Sequence, residues 1–204
     1  MKLAYILSSV AALTSAATVP TSGGPPKDLV KIGSLTYAGS GCPSGSLAPE
    51  LDADANAFTL YFDSFVASTG PGIPITENRK NCQINLGLNV PQGWQYSFAT
   101  IDYKGYLNLD DGVKAQKTAA LYFQGEVNQS KKVTTFTSKN NGNFYIRDNF
   151  PVETVVWSPC GGQKNINIAT SVRLNGPSHL SGTIGIDSID TKFTQIYSLQ
   201  WKQC

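Results

Sequence analysis

Hydrophobic residues recur at every second position through most of this chain. In "FTLYFDSFV", Phe58, Leu60 and Phe62 fall on one side, and Thr59, Tyr61 and Asp63 on the other. "CQINLGLNV" sends Ile84, Leu86, Leu88 and Val90 one way and Gln83, Asn85 and Asn89 the other. "NINIATSVRL" repeats the alternation, with Ile166, Ile168, Val172 and Leu174 against Asn165, Asn167, Ser171 and Arg173. Successive side chains of a strand point to opposite faces, so this period predicts half-buried antiparallel strands. "WQYSFATIDYKGY", "AALYFQGEV", "KKVTTFTS", "ETVVWSP", "SGTIGIDSI" and "KFTQIYSLQW" predict further strands, with turn chemistry between them in "NNGN", "PCGGQ" and "LNGPS". No window carries the period of a long amphipathic helix; one short helical turn is expected at "LDDGVKAQ", with Asp110 and Asp111 at its start. About ten short strands predict an all-β, single-domain antiparallel β-sandwich, of which the jelly roll is one form.

The first residues change where such a domain is expected to live. Lys2, the apolar run Leu3 to Leu13, and the small residues Ser15, Ala16 and Ala17 have the layout of a secretory signal peptide. The run is too short to span a membrane. The expected division is a signal peptide over 1–17, a loose Pro/Gly-rich lead-in over 18–34, and one β-sandwich domain over 35–204. The protein is therefore expected to be extracellular and monomeric, without membrane attachment.

Composition narrows the partners. The 16 basic residues, one of them Lys2, stand against 14 acidic ones, leaving the exported chain near neutral. No basic footprint for nucleic acid is present. Charged residues are 15% of the chain, against an ordinary ~25%, so the polar surface falls to Ser, Thr, Asn and Gln.

In an oxidising compartment Cys42, Cys82, Cys160 and Cys204 read as two disulfides with three possible connectivities. Cys42–Cys82 with Cys160–Cys204 is the favoured pairing, because each half of the chain then closes on itself. In the chain-entropy account each such loop contributes about 4 kcal/mol. The four cysteines have no C-x-x-C spacing and the chain has a single histidine, so no metal site and no cofactor are expected.

Candidate chemistry is sparse. His179, in "GPSHLSG", reads as a solvated turn residue, and no G-x-S-x-G elbow accompanies it. Asp63, Asp102, Glu126 and Glu153 fall in or beside predicted strands, where two carboxyls facing one another would suit a glycosidase. The plainer reading is solvated surface. Asp52, Asp54 and Asn56 alternate like calcium ligands but lack the glycine and closing glutamate of such a loop, so "LDADANAF" reads as a hairpin turn. Tyr61, Trp94, Tyr96, Tyr103 and Tyr106, set among amide and hydroxyl side chains, match the chemistry that holds sugars, though aromatics also fill ordinary strands. Asn128, in "NQS", is the only N-x-[ST] sequon and marks an expected glycosylated surface turn.

The most charged stretch is "TENRKNCQ". A Gly-Pro run precedes it and Cys82 opens a strand, so it reads as a structural corner at a cross-link, with a ligand loop as the rival reading. Glu77 is expected to pair with Arg79 or Lys80, and Arg79 to fix loop carbonyls.

"YAGSGCPSGS", "FDSFVASTGPGIPITENRKNCQINLGLNVPQGWQYSFATIDYKGY", "VVWSPCGG" and "SIDTKFTQIYSLQWKQC" resemble successive blocks of one secreted, mainly fungal family, known as domain of unknown function 4360. The resemblance runs from about Leu35 to Cys204 and includes all four cysteines. It implies a small secreted domain containing cysteines, and brings no reaction and no catalytic residues. The expected function is a binding or interaction module, for cell-wall glycan or for a host-surface protein as an effector. The tentative ligand set is Tyr61, Asp63, Glu77, Arg79, Trp94, Tyr96 and Asp102. A hydrolase of extracellular polysaccharide, using paired carboxylates, is the alternative.

Overall fold

The computed structural model of the protein describes residues 23–150, 155–161, 164–185 and 193–204. They form twelve strands: β1 (Lys31–Ala38), β2 (Leu47–Leu51), β3 (Ala57–Phe62), β4 (Ala67–Thr69), β5 (Arg79–Asn89), β6 (Trp94–Leu109), β7 (Lys114–Phe123), β8 (Ser130–Phe136), β9 (Gly142–Asn149), β10 (Ile166–Asn175), β11 (Gly182–Gly185) and β12 (Phe193–Gln203). One sheet has the order β1-β5-β10-β7-β8. The other runs β2-β3-β12-β6-β11-β4, with β9 also paired to β6. Every pairing is antiparallel.

The period-two reading accounts for the core between the sheets. Phe58, Leu60 and Phe62 of β3 are fully buried, as are Ile84 and Leu86 of β5 and Ile168 and Val172 of β10. Aromatic rings fill much of the space. Phe58 stacks on Tyr197 at 4.6 Å and Phe65 on Phe193 at 5.2 Å, offset pairs worth about 1 kcal/mol each beyond burial. The disulfides are Cys42–Cys82 and Cys160–Cys204, the favoured pairing. Gly39 lies where no other residue fits: a Cβ there would sit 2.1 Å from the Asn81 carbonyl oxygen.

Several expectations are corrected. The domain starts before Leu35: β1 begins at Lys31 and Val30 is already buried. "LDADANAF", by contrast, is the expected hairpin turn, between β2 and β3, where the Asp52 carboxylate accepts from the Asn56 N–H at 2.7 Å. "LDDGVKAQ" contains no helical turn. Gly112 (φ +98°) closes a tight turn into β7, and the Asp110 carboxylate accepts from the Ser181 N–H instead of capping a helix. "FTLYFDSFV" is not one strand, because the chain bends after Phe62 to drop Phe65 into the core. Val155–Pro159 form no strand; the Val156 carbonyl is taken by the Ser97 hydroxyl and Ser158 bonds the Tyr96 backbone. "SGTIGIDSI" supplies β11 in its first half, and its remainder lies outside the described residues, as does the expected signal peptide.

Asn141, between β8 and β9, donates to the Leu109 carbonyl and accepts from the Leu109 N–H, both at 2.8 Å. This ties the crossover between the sheets to the end of β6.

A charged pair lies inside the sandwich. Lys117 of β7 is 1% exposed, and its Nζ donates to Asp148 of β9 at 2.6 Å. The Thr134 hydroxyl donates to the same carboxylate at 3.1 Å, and the ammonium sits over the Tyr103 ring. Burial pushes the Lys117 amine down to about 8, against the opposing pull of Asp148. The pair joins the two sheets.

Candidate functional site: the outer face of the seven-stranded sheet

Register brings polar residues from four strands into rows. Tyr61 of β3 lies opposite Thr194 of β12, which lies opposite Lys104 of β6, which lies opposite Tyr145 of β9. The next row is Thr59, Ile196, Asp102 and Arg147. Directly opposed residues share a face, and the core takes their neighbours Leu60, Gln195, Tyr103 and Ile146.

At the centre of the face is Asp102, only 3% exposed although it faces outward. Arg147 covers it with a two-pronged bond, Nε to Oδ1 at 2.6 Å and Nη2 to Oδ2 at 2.7 Å. The Tyr145 hydroxyl donates to Oδ2 at 2.7 Å. The Arg147 bond holds the carboxyl below its usual range, burial opposes this, and Tyr145 adds to it. The same contact pushes the Tyr145 phenol up. One buried carboxylate thus fixes two side chains that remain more than half exposed, Tyr145 at 54% and the Arg147 side chain at 55%. Lys104 reaches over the Tyr145 ring, 5.6 Å from its centre. Across the sheet, Tyr61 donates to Glu50 at 2.7 Å.

Of the residues singled out in the sequence, Tyr61 and Asp102 meet on this face. Tyr106 joins them, half-buried opposite Asn143. Tyr96 does not: it is fully buried, packed between Phe98, Phe123 and Trp201, as Tyr103 is beneath Lys117. Neither ring reaches a ligand, because both occupy inward positions of β6. Trp94 is half-buried at the far end of that strand, and Asp63 is exposed just beyond β3.

Glu77 and Arg79 stand apart, where β5 enters the other sheet. There Glu77 pairs with Lys80 at 2.8 Å, not with Arg79. The Arg79 side chain is exposed and its guanidinium has no hydrogen bond among the described residues, so it fixes no loop carbonyl. It lies opposite Arg173 of β10. The corner is held by the Cys42–Cys82 link and the Glu77–Lys80 pair.

Two of the carboxylates considered for hydrolysis are engaged in ion pairs. Asp102 pairs with Arg147 and Glu126 with Lys164 at 2.7 Å, while Glu153 lies outside the described residues. His179 is exposed in the turn after β10, and Asn128 is exposed between β7 and β8. Among the described residues no three His, Cys, Asp or Glu side chains gather where a metal ion would fit, and no helix is long and apolar enough to cross a membrane.

Lys104, Tyr145 and Arg147 were missed as site residues. The signal was present in "NFYIRDN", which alternates Phe144 and Ile146 inward with Tyr145 and Arg147 outward. Only the neighbouring "NNGN" is expected there, as a turn, and no strand.

Residues 28–204 match the family described as Domain of unknown function (DUF4360), and the chain belongs to that family. An "Uncharacterized secreted protein" of Arthroderma benhamiae is 40% identical over 189 residues, covering 91% of this chain and 77% of that protein. The protein is secreted. Among solved structures, TmCBM61 in complex with β-1,4-galactotriose is similar over 90% of this chain and 100% of its own, at 11% identity and a TM-score of 0.29. The family 11 carbohydrate-binding module of Clostridium thermocellum, in complex with a β-1,3-1,4-mixed-linked tetrasaccharide, covers 79% of this chain and 87% of its own, at 9% identity and a TM-score of 0.26. Likeness at this level says nothing about a ligand.

Proposed function

We propose that the protein binds cell-wall polysaccharide on the outer face of the seven-stranded sheet. The observation that carries this is the Asp102 anchor, which presents the Tyr145 ring and the Arg147 fork in fixed positions. A ring supplies a surface for the apolar face of a sugar, and a guanidinium with spare N–H groups supplies donors for its hydroxyls. Both are ordered before the ligand arrives, which lowers the entropic cost of binding.

The composition of the face favours sugar over protein. A protein interface buries an apolar centre. Among the described residues the large exposed apolar ones are Leu29, Ile73, Ile75, Val127, Val133 and Tyr145, and of these only Tyr145 belongs to this face. Around Tyr145 and Arg147 lie Thr59, Ser198 and Asn149, short polar groups suited to hydroxyls, with the half-buried Ile196 among them. Hydrolysis is disfavoured because a general acid needs a raised carboxyl, and Arg147 holds Asp102 in the opposite direction.

The test is depletion of the purified protein from solution by insoluble chitin, β-glucan and cellulose. Native protein is expected to bind at least one of them, and Tyr145→Ala and Arg147→Ala to weaken that binding about tenfold, or ~1.4 kcal/mol. Retention on none of the three, or unchanged retention of both variants, would overturn the reading.

A further inference from the structure

All three tryptophans of the chain, Trp94, Trp157 and Trp201, collect at the end of the sandwich closed by the Cys160–Cys204 disulfide. There β12 runs on past its neighbour. Its pairing with β3 stops at Ser198, and the Leu199 N–H makes a last bond to the Asn56 carbonyl at 2.7 Å. From Gln200 to Gln203 that edge of the strand has no ladder partner among the described residues. Gly23 and Gly24 pass on the far side of the gap, leaving an open cleft of about 520 Å³. Pockets for small ligands are commonly about 300–1,000 Å³.

The two indoles that line this cleft are differently placed. Trp201 is a wall: its Nε1 donates to the Ala55 carbonyl at 3.1 Å, one side packs on Tyr96, and a Cβ on Gly24 would come within 3.0 Å of its ring. Trp94 is unspent. Its ring is half-buried, and neither its N–H nor its face has a partner among the described residues. The side-chain amides of Asn56 and Gln203, which also line the cleft, have no hydrogen-bond partner among those residues either. Lys202 is the one charged residue in the lining, and its ammonium is drawn over the Trp157 ring at 4.2 Å.

The position of Trp94 is rigid. The Gly93 carbonyl accepts from the Cys204 N–H and the Trp94 carbonyl from the Gly161 N–H, both at 2.9 Å, so the disulfide-linked segments grip the backbone on both sides of the indole.

We propose that this cleft is a second saccharide site, binding an uncharged oligosaccharide with a sugar ring on Trp94 and its hydroxyls on Asn56, Gln203 and the free edge of β12. A free strand edge also suits an extended peptide. The unpartnered indole and amides favour the sugar, since an added peptide strand would draw on the backbone and leave them idle. The lining has no carboxylate for a cationic ligand, and its single cation is already engaged. Trp94 opens β6 and Asp102 lies eight residues further on, about 27 Å along the strand. The cleft is therefore separate from the Tyr145 face, and it does not require that face to bind.

Tryptophan fluorescence reads the cleft directly. Soluble oligomers of chitin, β-glucan and cellulose would be titrated into native protein, Trp94→Ala, Gln203→Ala and Tyr145→Ala. At least one oligomer is expected to change native emission saturably. Trp94→Ala should weaken that response about tenfold, Gln203→Ala severalfold, and Tyr145→Ala not at all. Gln203→Ala keeps the test open if the loss of Trp94 disturbs folding. No emission change with any oligomer, an unchanged titration in both cleft variants, or displacement of the signal only by an extended peptide would overturn the proposal. A response that survives Tyr145→Ala while retention on solid polysaccharide is unaffected by it would sink the sheet-face reading and leave the cleft standing.

Discussion

Arg147 and Asp148 are consecutive residues of β9 whose side chains leave opposite faces of the sheet and end in separate ion pairs. Outside, Arg147 holds Asp102; inside, Asp148 holds Lys117. The outer pair positions the proposed binding groups. The inner pair fixes the strand that carries them to the opposite sheet.

The inner pair makes a prediction about asymmetry. Replacing Asp148 by Ala leaves a buried ammonium without its counter-ion, and is expected to destabilise the protein by about 3–5 kcal/mol. Replacing both partners, Lys117→Met with Asp148→Leu, removes the charges and their desolvation cost together, so the double variant should lie within about 1 kcal/mol of native or above it. Urea unfolding of the two variants checks this; a double variant as weak as the single one would contradict it.

The same lysine predicts a rise of stability in mild alkali. Its folded value of about 8 lies below its ordinary 10.5. Between those limits the unfolded chain binds a proton that the folded one does not, so stability increases with pH, by at most about 3 kcal/mol. Burial holds the Tyr96, Tyr103 and Tyr197 phenols above their ordinary 10.0, so their contribution is lost as pH climbs past 10. Thermal midpoints should therefore peak near pH 9–10. In Lys117→Met the rise should vanish and the fall remain.

Asp102→Asn tests the outer anchor. The substitution keeps the shape but removes the charge that orders Arg147 and Tyr145. It is expected to lose about 1–3 kcal/mol of stability and about tenfold in polysaccharide binding. The carboxyl is held below its ordinary 3.8. Its contribution is thus complete above that pH and disappears as pH falls through the lower folded value. Native binding should stay level from pH 7 to pH 4, and the acid limb of unfolding should be shallower in Asp102→Asn. A binding loss centred near pH 5 would place the titration on another group.

Arg79 and Arg173 form a like-charged cross-strand pair, and both are exposed. Arg79→Ala is expected to change stability by less than about 0.5 kcal/mol. Arg79→Glu, which makes the pair complementary, should raise it by a few tenths to 1 kcal/mol at low salt, with the gain fading near 1 M salt. A large loss in either variant would restore a structural role for the guanidinium.

The sequence was readable wherever burial alone decided the outcome. Ile84, Leu86, Ile166 and Ile168 point inward because alternation leaves them no other consistent arrangement. It was less readable where one strand's role depends on a distant strand. Tyr96 and Tyr106 both look like surface aromatics in "WQYSFATIDYKGY", yet the irregular register between Ser198 and Leu199 sits between them, and only Tyr106 faces out. Asp102 was singled out without its partner, because Arg147 is 45 residues away and no local pattern links them. Glu77 chose Lys80 over Arg79 because β5 turns Arg79 toward Arg173 on the sheet surface.

The tie between Asn141 and Leu109 also bears on how the protein ages. Asn141 is followed by Gly142, the dipeptide in which the next backbone nitrogen most readily attacks the side-chain amide and releases ammonia. That attack needs the side chain to swing toward Gly142. Here the amide is held at both ends by the backbone of Leu109. Folding thereby shields a bond that the extended chain leaves open to chemical decay. Material stored folded should keep its charge at this position, whereas material left in denaturant should accumulate a more acidic form.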